Sequence, residues 1–136
     1  MQNPDRETIR SILANAQTIA VVGLSDKPHR TSYQIAQEMQ AKGYKIIPVN
    51  PGIVEVLGEK AVASLSDLPE TPDIINVFRR SEFLPELAEE AVKTDAPVFW
   101  GQLGVESEQA YAILTAADKT VVMDRCIKVD HGALLS

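Results

Sequence analysis

Cysteine is nearly absent: Cys126 stands alone in a chain of 136 residues. No internal disulfide framework can form, which fits a reducing cytoplasm. With one cysteine and only two histidines, His29 and His131, which lie far apart, no zinc-ligand spacing arises. Aromatic residues make up 5% of the chain, too few for a base-stacking platform on single-stranded nucleic acid. Apolar runs of ~18 residues, the length of a membrane-spanning helix, do not occur, and MQNPDRETIR lacks the apolar centre of a signal peptide. The net charge of −6 argues against broad nucleic-acid binding. An anionic ligand would need a local positive site.

Several motifs are missing too. Without Gly-x-x-x-x-Gly-Lys the chain is no P-loop nucleotide hydrolase. Gly23-Leu24-Ser25 is not a nucleophile elbow, and no Ser-His-Asp set is visible. His29 and His131 read as loop histidines, and Cys126 as a small buried apolar residue, though Arg125 beside it would favour a thiolate. The expectation is therefore a chain without catalytic machinery of its own.

What is present is a core. Hydrophobic content is 45%, and the length suits one domain over residues 1–136. The chain is organised around TIAVVGLSDKPHR, residues 18–30. Thr18–Val22 reads as a buried strand, Gly23 stops it, and a helix follows the polar loop. A strand, a glycine turn and a helix N-terminus make a common phosphate cradle: glycine admits the ligand, and free N–H groups point at the anion. Many such turns bind nothing.

Taken in order, Asp5–Ala16 carries a helical stripe of Ile9, Ile12, Leu13 and Ala16, with Asn3 as N-cap and Pro4 at the first helical position. A second helix spans Ser32–Lys42, with Ile35, Ala36 and Met39 inward, Thr31 or Ser32 as cap and Gly43 as stop. Strand two is Tyr44–Val49. Its Pro48 is awkward in a central strand, so the ladder should weaken there. Asn50-Pro51-Gly52 is a turn, and residues 53–72 are irregular, with turns at Leu57-Gly58-Glu59 and Ser66–Pro69. Strand three is Asp73–Phe78. Ser81 caps a helix with Leu84, Leu87, Ala88, Ala91 and Val92 on one face. Strand four is Pro97–Trp100. Ser107 or Glu106 opens a helix with Ala110, Ile113, Leu114 and Ala117 inward. Strand five is Thr120–Met123, and nothing in Asp124–Ser136 assigns it an element.

Strands alternating with helices and reading as continuous apolar runs predict an α/β parallel sheet covered on both faces. The expected order is 3-2-1-4-5, with the chain reversing across the sheet between strands one and four. Ligands bind at such a reversal, beyond the C-terminal strand ends. Six of the thirteen basic residues fall at that edge: Lys27, Arg30, Arg79, Arg80, Arg125 and Lys128. A basic edge on an acidic protein points to a phosphorylated small ligand, although Asp26, Glu82 and Asp124 share the edge and any one Arg could be a solvated surface charge. NAD fits poorly. Gly23-x-Ser25 replaces the opening of Gly-x-Gly-x-x-Gly, and Asn50 stands where the ribose-binding acid belongs.

The segments AVVGLSDKPHRTSY, IIPVNPG, LGEKAVASLSDLP, DIINVFRRSEFLPELAEEAV, VFWGQLGV and VVMDRCIKV resemble, in order and spacing, the stand-alone coenzyme A-binding domains of bacteria. That family is similar to the CoA-binding domain of the succinyl-CoA synthetase α subunit. The resemblance covers Thr18 to Lys128. It implies a Rossmann-like three-layer α/β/α fold that binds CoA or an acyl-CoA. It places Gly23, Leu24 and Ser25 against the pyrophosphate, with Lys27, Arg30 and Ser32 as further phosphate contacts. Val49, Asn50 and Pro51 match the segment near the adenosine. Phe78 and Arg79 match the turn at the middle of the ligand, Gln102 and Gly104 the loop after strand four, and Cys126 the segment near the pantetheine end. The related Asn-Pro-Lys reads Asn50-Pro51-Gly52 here, so a contact to the 3′-phosphate is in question. The synthetase's phosphorylated histidine lies in a separate domain, so ligase activity is not implied. Three alternatives stay open: an NAD(P)-binding protein, an enzyme subunit whose partner supplies catalysis, and an interaction module with an empty pocket. Neither nucleic acid nor a membrane is an expected partner.

Overall fold

A computed structural model describes residues 1–135. The elements are α1 (Arg6–Asn15), β1 (Thr18–Val22), α2 (Thr31–Ala41), β2 (Lys45–Val49), β3 (Glu55–Val56), β4 (Glu59–Lys60), β5 (Ile74–Val77), α3 (Leu84–Ala91), β6 (Val98–Gly101), α4 (Glu108–Ala116), β7 (Thr120–Val122) and α5 (Ile127–Leu135). Short 3-10 turns occupy Leu65–Asp67 and Ser81–Phe83. No helix among the described residues is long and apolar enough to cross a membrane.

Five strands form one parallel sheet in the order β2-β1-β5-β6-β7. The fold is α/β with a Rossmann-like parallel sheet, but the order corrects the expected one. Counting only the five long strands it is 2-1-3-4-5, and β2 is an edge strand. Pro48 explains why β2 tolerates that place. The Pro48 carbonyl faces away from β1 and accepts the Val62 N–H at 2.9 Å. The nitrogen of a strand residue points to the same side as its carbonyl, so the missing N–H removes nothing from the β1–β2 ladder. The chain consequently reverses between β1 and β5, not between strands one and four.

Sheet side chains alternate between two packed layers. Ile19, Val21, Ile74, Val98, Trp100 and Val122 pack with α1, α2 and α5. Ala20, Val22, Ile75, Val77, Phe99 and Val121 pack with α3 and α4. The helix after β1 and the helix after β5 thus cover opposite faces, and a crevice opens between the ends of these two strands.

Local chemistry moves several boundaries. Asp5, not Asn3, caps α1: its Oδ1 accepts the Thr8 N–H at 2.8 Å, which pulls the Asp5 carboxyl below its usual range. Asn3 instead pairs with the Met123 backbone through both ends of its amide. Neither Thr31 nor Ser32 caps α2, whose N-cap is Arg30 with no side-chain bond. Ser81 opens a 3-10 turn and its hydroxyl bridges to Gly104 and Glu106 instead of capping α3. Ser107 does cap α4, accepting from the Ala110 N–H at 3.1 Å. Inside the irregular stretch, β3 and β4 pair through a two-residue turn in which Leu57 and Gly58 both have positive φ.

Candidate functional site

Three strand ends meet at Gly23. Its N–H donates to the Val49 carbonyl at 2.9 Å, and its φ is +84°. A Cβ at this position would lie 2.3 Å from the Phe78 carbonyl oxygen. Only glycine lets the ends of β1 and β5 approach this closely. Leu24 puts its side chain wholly into the core, so only its main chain faces the edge. Its carbonyl accepts from Asn50 Nδ2 at 3.0 Å, and Asn50 Oδ1 accepts the Gly52 N–H at 2.8 Å. Both ends of the Asn50 amide are thus engaged within the chain.

The loop beyond is held by serines. The Ser32 hydroxyl accepts the Ser25 N–H at 3.0 Å, and the Ser25 hydroxyl accepts the Lys27 N–H at 3.1 Å. Because Ser32 is buried and turned to this task, α2 starts with no side-chain acceptor for its first N–H groups. Those groups remain donors at a positive helix end.

Three hollows lie along this edge. The first, of about 450 Å³, sits over β1 and β2 and is lined by Gly23, Val49, Asn50, Pro51, Ser64 and Arg79. The second, of about 370 Å³, is lined by Gly23, Ser25, His29, Arg30 and Ser32. The third, of about 420 Å³, is lined by Arg79, Arg80, Gln102, Leu103, Gly104 and Val105. Phe78 borders all three. Two hollows of similar size lie elsewhere. One, under α1, is lined by Glu7 and Asp73 and no cation. The other, beside α3, has three carboxylates against Lys93. Neither suits an anion.

The six edge cations divide. Arg125 forms a two-pronged pair with Asp130, at 2.7 Å on both prongs, and this bond holds its pKa above the usual arginine value. Arg80 pairs with Glu82 at 3.1 Å. Among the described residues no carboxylate lies within ion-pair distance of Lys27, Arg30, Arg79 or Lys128. Lys27 and Arg30 project from the exposed loop of the second hollow, and Arg79 stacks over the Phe83 ring at 4.5 Å. Lys128 sits exposed on α5.

The far end of the edge is built differently. Gln102 is buried, and its Oε1 accepts from Asn76 Nδ2 at 3.1 Å and the Ile127 N–H at 3.0 Å. Trp100 Nε1 donates to the Arg125 carbonyl at 2.8 Å, and Asp124 Oδ1 accepts the Gly104 N–H at 2.6 Å. Cys126 is half-buried against the core layer that contains Trp100 and Ile127, and opens the turn into α5 through its carbonyl, which accepts the Asp130 N–H. Sequence reasoning missed Asn76 and Asp130. Asn76 did carry a signal: a lone amide inside the apolar run of β5 must find buried partners.

Gly23, Ser25, Arg30, Ser32, Val49, Asn50, Pro51, Phe78 and Arg79 therefore gather around the first two hollows, and Gln102 and Gly104 around the third. Leu24, Lys27 and Cys126 line none of the three.

Comparison with known proteins identifies the family and the fold. Residues 17–132 match the CoA binding domain family. An uncharacterised protein, YneT, of Bacillus subtilis (strain 168) is 56% identical over 132 residues, covering 97% of this chain and 98% of its own. The α subunit of ADP-forming acetate–CoA ligase I of Pyrococcus furiosus is 30% identical over 109 residues, 71% of this chain. The chain spans only 24% of that subunit. Among solved structures, a hypothetical protein from Pyrococcus horikoshii OT3 superposes with a TM-score of 0.95 at 32% identity, covering 100% of this chain and 98% of its own.

Proposed function

Because this chain belongs to the CoA binding domain family, we propose that it binds coenzyme A, or an acyl-CoA, along the C-terminal edge of its sheet without a ligase step of its own. The observation that carries this reading is the closure at Gly23. A main-chain turn there opens onto three hollows, with two unpaired cations, Arg30 and Arg79, in their linings and Lys27 on the adjoining exposed loop. CoA carries about four negative charges, in its pyrophosphate and 3′-phosphate. The pyrophosphate lies on Gly23, Leu24 and Ser25 and the start of α2, with Lys27, Arg30 and Ser32 at its sides. The adenosine takes the hollow beside Val49, Asn50 and Pro51. The pantetheine arm crosses Phe78 and Arg79 toward Gln102, Gly104 and Cys126.

Asn50 disfavours NAD: it stands in place of the ribose-binding carboxylate, and one donor and one acceptor site of its amide are already engaged within the chain. Calorimetric titration of CoA, dephospho-CoA, NAD and NADP tests the reading. CoA binds in the micromolar range and NAD at least tenfold more weakly, a gap of about 1.4 kcal/mol. With Gly52 where the related segment has Lys, dephospho-CoA binds within about tenfold of CoA, less than a strong ionic hydrogen bond would give. Tighter binding of NAD than of CoA overturns the reading.

A further inference from the structure

Gln102 is 4% exposed, just beyond the end of β6. One of the two donors to its Oε1 is the main-chain N–H of Ile127. A main-chain N–H can only donate, so the amide oxygen must face it and the amide cannot be turned over. Nε2 is thereby fixed on the other prong of the amide. It has no acceptor among the described residues, yet every fully buried side-chain nitrogen or oxygen there has a partner. Nε2 is therefore not sealed in. Gln102 lines the hollow of about 420 Å³, and that is the opening to which we assign Nε2. A donor held in one orientation at the side of a hollow is preorganised for an acceptor that a ligand supplies.

The walls of that hollow define the acceptor. Phe78, Leu103 and Val105 make it largely apolar, no carboxylate lines it, and of the two arginines in its lining Arg80 pairs with Glu82 and Arg79 stacks over Phe83. The Gly104 carbonyl already accepts from the Ser81 hydroxyl. A neutral carbonyl oxygen on a flexible, mostly apolar chain fits this setting. The arm of CoA offers that chemistry in its amide carbonyls, and an acyl-CoA adds a thioester carbonyl. The geometry points to Gln102 as a specificity-determining residue: its Nε2 donates to a carbonyl oxygen of the bound arm, and so distinguishes CoA from a nucleotide that has no arm. This inference rests on the CoA reading above.

The variant Gln102→Glu separates the two jobs of the side chain. It keeps an oxygen for Asn76 and the Ile127 N–H and replaces only the donor. Affinities for CoA, acetyl-CoA and the arm-less 3′-phospho-ADP are measured at about pH 8, by calorimetry or, for weak binding, by NMR titration. The variant weakens CoA or acetyl-CoA by more than about tenfold, and leaves 3′-phospho-ADP within about twofold of wild type. An equal loss for CoA and acetyl-CoA assigns the acceptor to a pantetheine amide; a loss confined to acetyl-CoA assigns it to the thioester. Both support the inference. All three ligands unchanged, or all three weakened alike, overturns it. Should the variant fail to fold, Gln102→Met, which is neutral and has no donor, is read by the same ratio of affinities. A wild-type protein that binds no CoA overturns the parent reading as well; wild-type binding with an unaffected variant overturns this inference alone.

Discussion

The two ends of the binding edge solve the same problem by opposite means. At the glycine turn short polar side chains, Ser25, Ser32 and Asn50, fix the main chain, and Lys27 and Arg30, the charges proposed to reach a ligand, stand exposed with no carboxylate partner among the described residues. At the β6–α5 end the fixed parts are side chains. Asn76, Gln102, Trp100, Asp124 and the Arg125–Asp130 pair tie three segments together. On the proposed reading, the first arrangement holds an anion by charge and stays adaptable, and the second pre-sets one neutral donor. An acidic chain that takes a phosphorylated ligand would need this division, because its overall charge repels the ligand at long range and only short-range donors can hold it.

The largest effect comes from breaking the turn. Gly23→Ala sets a Cβ 2.3 Å from the Phe78 oxygen at φ +84°, so β1 and β5 must separate at their ends. Urea unfolding should show a loss of about 2–4 kcal/mol, and CoA binding should vanish from calorimetry. A variant of wild-type stability and affinity would remove the turn from the centre of the site.

Next in size are the free cations. Arg30→Ala or Arg79→Ala removes one charge-assisted hydrogen bond of about 1.5–3 kcal/mol, and so weakens CoA by about tenfold to a hundredfold. The salt dependence of binding becomes shallower in these variants. Lys128→Ala, on α5, leaves both affinity and salt slope unchanged. An equal effect at Lys128 would erase the contrast between the two ends.

At the far end, Asp130→Asn keeps the shape of the pair and removes its charge. With Asp130 buried but the Arg125 side chain 45% exposed, hydration replaces part of what is lost. Thermal or urea unfolding should register about 1–2 kcal/mol, while the phosphate end keeps its affinity for 3′-phospho-ADP.

The smallest effect is a pH slope. Burial, with Lys42 nearby, lowers the His131 pKa from 6.5, and its ring meets Tyr44 edge-on. Below about pH 6.5 the unfolded chain takes up a proton that the folded chain resists. Stability is therefore full above that pH and falls as the pH drops through the folded value. In His131→Gln, unfolding midpoints measured from pH 7 to 5 should decline less steeply. An unchanged slope would assign the acid sensitivity to other groups.

Sequence patterns located the glycine turn because its logic is local: an apolar run, a glycine and a helix start lie within fourteen residues of one another. They missed α5 because its hold on the core is not an apolar stripe. Ile127 and the polar Asp130 are its buried residues, and Asp130 is inside only because Arg125 pairs with it. The sheet order escaped for a related reason. Pro48 signalled an edge strand, but a strand's neighbours are chosen by contacts between distant positions, such as Thr18 with Lys45 and Ile19 with Ile74, and no local period encodes them.

By itself, then, the sequence determined the alternation of strand and helix, the two-sided burial of the sheet and the position of the phosphate-type turn, since each follows from side-chain periodicity or from what glycine alone permits. Only the tertiary structure decided that β5 lies beside β1, and that, among the described residues, Arg80 and Arg125 are neutralised while Arg30 and Arg79 are not and one prong of the Gln102 amide has no partner. Each of these depends on which distant residue arrives within hydrogen-bond reach, and that is settled by packing the whole chain.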